Sequence, residues 1–159
     1  MKRILVLASA VVLSLVASGV SLAQENPFVG TWKLDVAKSK YSGEKPPQSA
    51  TRTVVAQGDG LKVTNQGVSA DGNPTGYSYT TNLDGKDSPI SGTGPNGADT
   101  AAVTRVDANT VTVIVKKAGK TLDTVRTVVS KDGKVTTITG KGMNAQGQPI
   151  GFTAVYEKQ

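Results

Sequence analysis

From Asn26 to the carboxyl terminus the chain alternates short apolar and polar steps, and turn residues interrupt it every eight to twelve positions. Val111, Val113 and Val115 share one parity, with Thr110, Thr112, Ile114 and Lys116 on the other. Ile150, Phe152, Ala154 and Tyr156 repeat the pattern, as do Trp32, Leu34 and Val36, and Tyr77 with Tyr79. A period of two places alternate side chains on opposite faces of a strand, so these sets are expected to be the inner faces of a sheet. No stretch in this region keeps an apolar period of 3.6, so long helices are not expected; Val36 to Tyr41 has room for one short helical turn. Strands are predicted at about 30–36, 50–57, 60–68, 75–82, 87–91, 100–106, 109–117, 121–130, 134–143 and 150–158. Other strands alternate poorly: around 134–143 neither parity is clearly apolar. The 19 threonines explain this, because β-branching favours strands while the hydroxyl suits either face.

The connections decide the topology. Gln57-Gly58-Asp59-Gly60, Asp84-Gly85-Lys86, Lys117-Ala118-Gly119-Lys120 and Lys131-Asp132-Gly133 are too short for a parallel crossover, so neighbours in sequence pair antiparallel. The expected fold is all-β, an antiparallel up-and-down meander of 8–10 strands. Closing it into a barrel removes the exposed edges, and a two-sheet sandwich would need longer connections. An internal three-strand repeat is also expected. Arg52-Thr53-Val54-Val55 recurs as Arg126-Thr127-Val128-Val129, each followed by Asp-Gly, at Asp59-Gly60 and at Asp132-Gly133. Ala70-Asp71-Gly72-Asn73-Pro74-Thr75-Gly76-Tyr77 is then echoed by Ala145-Gln146-Gly147-Gln148-Pro149-Ile150-Gly151-Phe152. Pro74 and Pro149, lacking an N–H, belong at the start of a strand.

The amino-terminal segment is of another kind. Lys2-Arg3 precedes an apolar run from Ile4 to Val20, and Ser21-Leu22-Ala23 supplies the small residues of a cleavage site. Residues 1–23 are therefore expected to be a signal peptide cut after Ala23, leaving a single domain, 24–159, periplasmic or secreted, with no stable membrane span after cleavage. Gln24 rather than Cys follows the site, so a lipid anchor is not supported.

Composition narrows the chemistry. The chain has neither Cys nor His. That removes disulfides, Cys and His nucleophile chemistry, the His base of a Ser triad, most zinc sites and the commonest haem ligands. Asp71, Asp84, Asp87, Asp107 and Asp132 fall at turns, where Asp serves local hydrogen bonding, and no pair suggests acid–base catalysis. No catalytic residue, metal site or cofactor is expected. The net charge is +6, about +4 once Lys2 and Arg3 are removed, but the basic residues are scattered and aromatics make up only 4% of the chain. Nucleic-acid binding, which needs clustered charge or stacking platforms, is not expected.

The string Pro27-Phe28-Val29-Gly30-Thr31-Trp32-Lys33-Leu34-Asp35, with Lys38-Ser39-Lys40-Tyr41 behind it, resembles exported bacterial lipocalin-like proteins. With the meander that follows, it is similar to the lipocalin and fatty-acid-binding barrels. The resemblance implies that Trp32, introduced by Gly30, plugs the closed end beneath a basic side chain from a late strand, either Lys158 or Arg126. It also implies a ligand inside. Fatty-acid carriers hold a carboxylate with Arg-x-Tyr on the last strand; here Ala154-Val155-Tyr156 keeps the Tyr and lacks the Arg, leaving Arg126, or its repeat partner Arg52, as the anion anchor. The expected function is non-catalytic binding of a small apolar or amphipathic molecule by Tyr77, Tyr79, Val113, Arg126, Phe152 and Tyr156. The alternative is an envelope interaction module with a filled core that acts through a rim at residues 91–99.

Overall fold

The structure, a computed structural model, describes residues 26–144 and 146–159. The expected signal peptide 1–23, its cleavage site and Ala145 of the repeat lie outside the described residues. Eleven strands follow one another: β1 Gly30–Ser42, β2 Ser49–Gln57, β3 Gly60–Val68, β4 Pro74–Thr81, β5 Asp84–Pro89, β6 Ser91–Gly92, β7 Thr100–Arg105, β8 Thr110–Lys117, β9 Lys120–Val129, β10 Val135–Met143 and β11 Pro149–Lys158. One 3-10 turn, Pro95–Gly97, is the only helical element among the described residues. Every pairing is antiparallel, and the sheet runs β5-β7-β8-β9-β10-β11-β1-β2-β3-β4-β6. First and last strands meet in register, Trp32 opposite Lys158 and Leu34 opposite Tyr156. The meander is therefore a nearly closed barrel. Its seam lies between β4 and β5. The chain peels off β4 at Leu83, whose φ is 61°, and β5 pairs with β7 while two-residue β6 takes the place beside β4. The single strand expected at 87–91 is thus two short strands, which raises the count from 8–10 to 11.

Parity distributes the side chains much as the alternation predicts. Val111, Val113 and Val115 are buried, and so are Trp32, Leu34, Tyr79, Ile150 and Ala154. On β10 the interior parity is that of Thr136 and Ile138. Val36 departs from expectation: it is exposed, and no helical turn forms at 36–41. Between Asp35 and Lys40 β1 advances five residues while β11 advances from Val155 only to Thr153. This wide bulge has its own hydrogen bonds. The Lys38 N–H donates to Asp35 Oδ1 at 3.1 Å, Ser39 Oγ donates to the Asp35 carbonyl at 2.6 Å, and the Val155 N–H donates to Ser39 Oγ at 2.9 Å. Side-chain oxygens thus replace the missing ladder bonds, and the bulge turns Val36 outward. Lys38 spans it, 2.6 Å from Glu157 and 3.1 Å from Asp35, an exposed pair of contacts of small energetic weight.

The turns refine one expectation. The positive φ in the β2–β3 hairpin belongs to Gly58, at 56°, and Gly60 instead starts β3. The repeat is also weaker than its tetrapeptides suggest. Both copies fall on strand–turn–strand–turn–strand segments, yet Arg52 and Val54 take the inner parity of β2 while Thr127 and Val129 take the inner parity of β9. The offset between copies is 74 at the arginines and 75 at Tyr77 and Phe152, and a one-residue change exchanges the faces.

The closed end is built on Trp32, which is 1% exposed. Its Nε1 donates to the Phe28 carbonyl at 3.1 Å, and Lys158 Nζ lies 5.2 Å from the ring centroid. Arg105 sits likewise 5.5 Å over Phe28. Gly30 is part of this arrangement. Its φ is +145°, and a Cβ there would lie 2.6 Å from Lys158 Cε, so the lysine stem crosses the bare backbone to reach the indole. The spacing of Gly30 and Trp32 is a consequence of that crossing.

Gly30→Ala should therefore lower stability by about 1–3 kcal/mol in chemical denaturation, through backbone strain and displacement of Lys158. In a Lys158→Ala background the displacement part disappears, so the Gly30→Ala cost measured there should be smaller. Trp32→Ala should cost about 3–5 kcal/mol, as expected for a large buried aromatic, whereas Lys158→Met should cost only about 0.5–1 kcal/mol because the ammonium is exposed.

Candidate functional site

Above the Trp32 plug the barrel encloses a cavity of about 570 Å³. A small satellite space of about 20 Å³ separates it from Trp32 and Phe28. The larger space is open to solvent on one side rather than sealed. It is therefore a place for solvent or a ligand.

Five of the six residues expected to line the interior do so: Tyr77, Tyr79, Val113, Phe152 and Tyr156 all border the cavity. They come from three regions of sequence, which β4, β8 and β11 bring around one cavity. The Tyr77 and Tyr79 rings stack at 6.5 Å, and Phe152 stacks on Tyr41 at 6.0 Å. Phe152 depends on a glycine opposite it. A Cβ on Gly140, its partner in the β10–β11 register, would lie 2.3 Å from the Phe152 ring, so the ring occupies space that any other residue would fill.

Arg126 does not line the cavity. Val125, Thr127 and Val129 take the inner face of β9, so Arg126 is exposed on the outer wall, between Thr112 and Thr139 in register. It is not over Trp32 either, where Lys158 lies. The cation inside is Arg52. On β2 it sits beside Trp32 in the β1–β2 register and borders both the main cavity and the satellite space. Its Nη1 donates to Asn65 Oδ1 at 3.3 Å and its Nη2 to the Tyr79 hydroxyl at 3.4 Å, both long contacts. Among the described residues no carboxylate pairs with it; the four ion pairs there all involve exterior lysines. Burial disfavours its charge, and the neighbouring Tyr79 and Tyr77 more than offset this, so the guanidinium stays protonated. Burial pushes the Tyr77 and Tyr156 hydroxyls up, with Arg52 partly opposing it, so both remain neutral donors. Burial also holds Tyr41 at about 12.

Several polar residues at the cavity have no counterpart among the expected site residues, Asn65, Asp123 and Glu44 among them. Asn65 gives its Oδ1 to Arg52, and its Nδ2 is buried without a partner among the described residues. Asp123, 5% exposed, has an Oδ1 in the same condition. Glu44 borders the cavity from the β1–β2 connection. Asp123 had a signal in the sequence, a charged residue on the parity of Val125 and Thr127, and Asn65 had a similar one, a polar residue on the parity of Leu61 and Val63; Glu44, in a connection, had none. The aspartates expected at turns serve there: Asp84, Asp107 and Asp132 accept backbone N–H groups of Lys86, Asn109 and Lys134. Residues 93–97, within the expected rim, frame the cavity, with Gly94 and Ala98 buried and Asp99 Oδ2 accepting the Ala118 N–H at 2.7 Å.

No family model matches the chain, and no curated protein matches it. Among solved structures it is similar to a zebrafish ileal bile acid-binding protein complexed with cholic acid, at 14% identity and a TM-score of 0.48 over 84% of this chain and 99% of that one. It is also similar to lobster apocrustacyanin A1, at 11% identity and 0.45 over 86% of this chain and 63% of that one. Apocrustacyanin C2 gives 10% identity and 0.45 over 87% and 64%. By its own strand order and the meeting of its first and last strands, the chain is a nearly closed antiparallel β-barrel.

Proposed function

We propose that the mature domain, 24–159, is a non-catalytic binding protein that holds a small amphipathic molecule inside the barrel, with an anionic group against Arg52. The observation that carries this reading is a cavity of about 570 Å³ with an aromatic wall and a lone guanidinium at its inner end. A volume of a few hundred Å³, mostly apolar with a few convergent polar groups, is characteristic of small-molecule sites. Arg52 uses two of its five donors weakly, and Asn65, whose Nδ2 has no partner among the described residues, and Tyr77 border the same cavity. A carboxylate there would supply the acceptors these donors lack and the counter-charge the guanidinium lacks. A filled barrel acting only through its rim expects a packed interior, and the cavity argues against it. The signal-like segment 1–23 supports export, so the site of action is proposed to be the periplasm or the exterior.

Native mass spectrometry of the protein purified from its own host without delipidation should show a reproducible adduct that solvent extraction releases. A bare mass, with no response of Trp32 emission to a panel of fatty acids, would refute the binding reading. Arg52→Met separates binding from structure. It removes a poorly compensated charge while keeping the volume, so the unliganded protein should lose no stability, whereas fatty-acid affinity in calorimetry should fall at least about tenfold. Arg126→Ala should change neither affinity nor, beyond about 0.5 kcal/mol, stability.

A further inference from the structure

The cavity has a second polar pole of opposite demand. At the Arg52 end the unpartnered groups are a donor, Asn65 Nδ2, and a hydroxyl, Thr136 Oγ1; at the other the unpartnered group is an acceptor only, Asp123 Oδ1. The two poles are far apart in the fold. Arg52 lies in the row that crosses β1 at Trp32 and β11 at Lys158, while Asp123 lies in the row that crosses β10 at Gly142 and β11 at Ile150. Asp123 borders the main cavity only, in company with Glu44 and the 93–97 segment, whereas Arg52 reaches the satellite space beside Trp32. Between them the wall is apolar and aromatic, with Val113, Val125, Ile138, Ala154 and Phe152.

An aspartate on the inner parity of β9, flanked by Val125, displaces an apolar side chain that would pack there at no electrostatic cost. Burial raises its carboxyl above the usual carboxylate range, against the backbone N–H groups of Thr124 and Lys141. Glu44 is raised as well, by burial and then by the charge of Asp123. Lys45 borders the same opening, but among the described residues it forms no ion pair with either carboxylate. Asp123 borders the cavity, and its Oδ1, shielded from water, has no partner among the described residues; a donor that a ligand brings would satisfy it.

Resting on the binding reading above, we infer that the ligand is bipolar: an elongated amphiphile whose acidic end meets Arg52 and whose far end carries an ammonium group received by Asp123 and Glu44. An ammonium supplies both a donor for Asp123 Oδ1 and a counter-charge for the pair. A second carboxylate at the same end would meet two acidic groups and be rejected.

The test uses three probes of equal chain length, dodecanoate, ω-aminododecanoate and dodecanedioate, titrated calorimetrically into the delipidated protein. The expected result is that ω-aminododecanoate binds at least as tightly as dodecanoate and at least about tenfold more tightly than dodecanedioate. Asp123→Asn should shrink the amino-to-diacid ratio at least about fivefold. Trp32 emission verifies that the variant is folded, and Glu44→Gln, at an exposed position, gives a smaller change of the same sign. Dodecanoate binding accompanied by a ratio near one, or by a ratio that Asp123→Asn leaves unchanged, overturns the bipolar ligand and leaves the binding reading standing. Failure of all three probes to bind removes both.

Discussion

The pairing of β1 with β11 is the constraint on which the rest of the structure depends. It converts a meander into a barrel, and it sets Trp32 against Lys158 and Leu34 against Tyr156. Trp32 donates its indole N–H to Phe28 and receives Lys158 over its face, so the closed end has both a dry interior and a satisfied polar atom. With that end sealed, the inward side chains of the remaining strands face a shared interior. They do not fill it. The volume left over is too large to be a packing defect.

The interior has a polarity along its length. Arg52 with Asn65 and the tyrosine hydroxyls presents donors next to the plug; Asp123 and Glu44 present acceptors toward the opposite rim; between them the wall is apolar. Neither pole is an ion pair among the described residues. Each charge placed in a restricted environment without its opposite raises the free energy of the unliganded state, and a ligand carrying the complement lowers it. The exterior charges behave differently. Lys38, Lys86 and Lys116 pair with Asp35, Glu157, Asp84 and Asp87 at the surface, where such contacts contribute little.

The places where sequence and structure part have local causes. Val36 was expected inward because alternation was extended across a bulge that alternation cannot register; Asp35 and Ser39 hold that bulge through side-chain hydrogen bonds. The strand near residue 90 divided because the chain changes partner at Ile90, Pro89 pairing with Thr100 on β7 and Ser91 with Ser78 on β4, a switch that no apolar pattern signals. Arg126 and Arg52 occupy the same tetrapeptide, Arg-Thr-Val-Val, in which both parities are equally apolar, so the pattern did not decide which arginine enters the barrel. The register of each hairpin did, and it sent one inward and the other out.

The sequence by itself determined the class of fold, the antiparallel order, the plug at Trp32 and the aromatic lining. Period-two alternation, short turns and unusual residues such as a lone indole are local properties, and each element inherits them whatever its neighbours do. Tertiary structure alone decided the wide bulge in β1, the seam between β4 and β5, the choice of Arg52 over Arg126, and the union of Asp123 with Glu44 at one rim. These depend on register and closure, in which a shift of one residue exchanges inside for outside, and strands distant in sequence meet only once the sheet has curled back on itself.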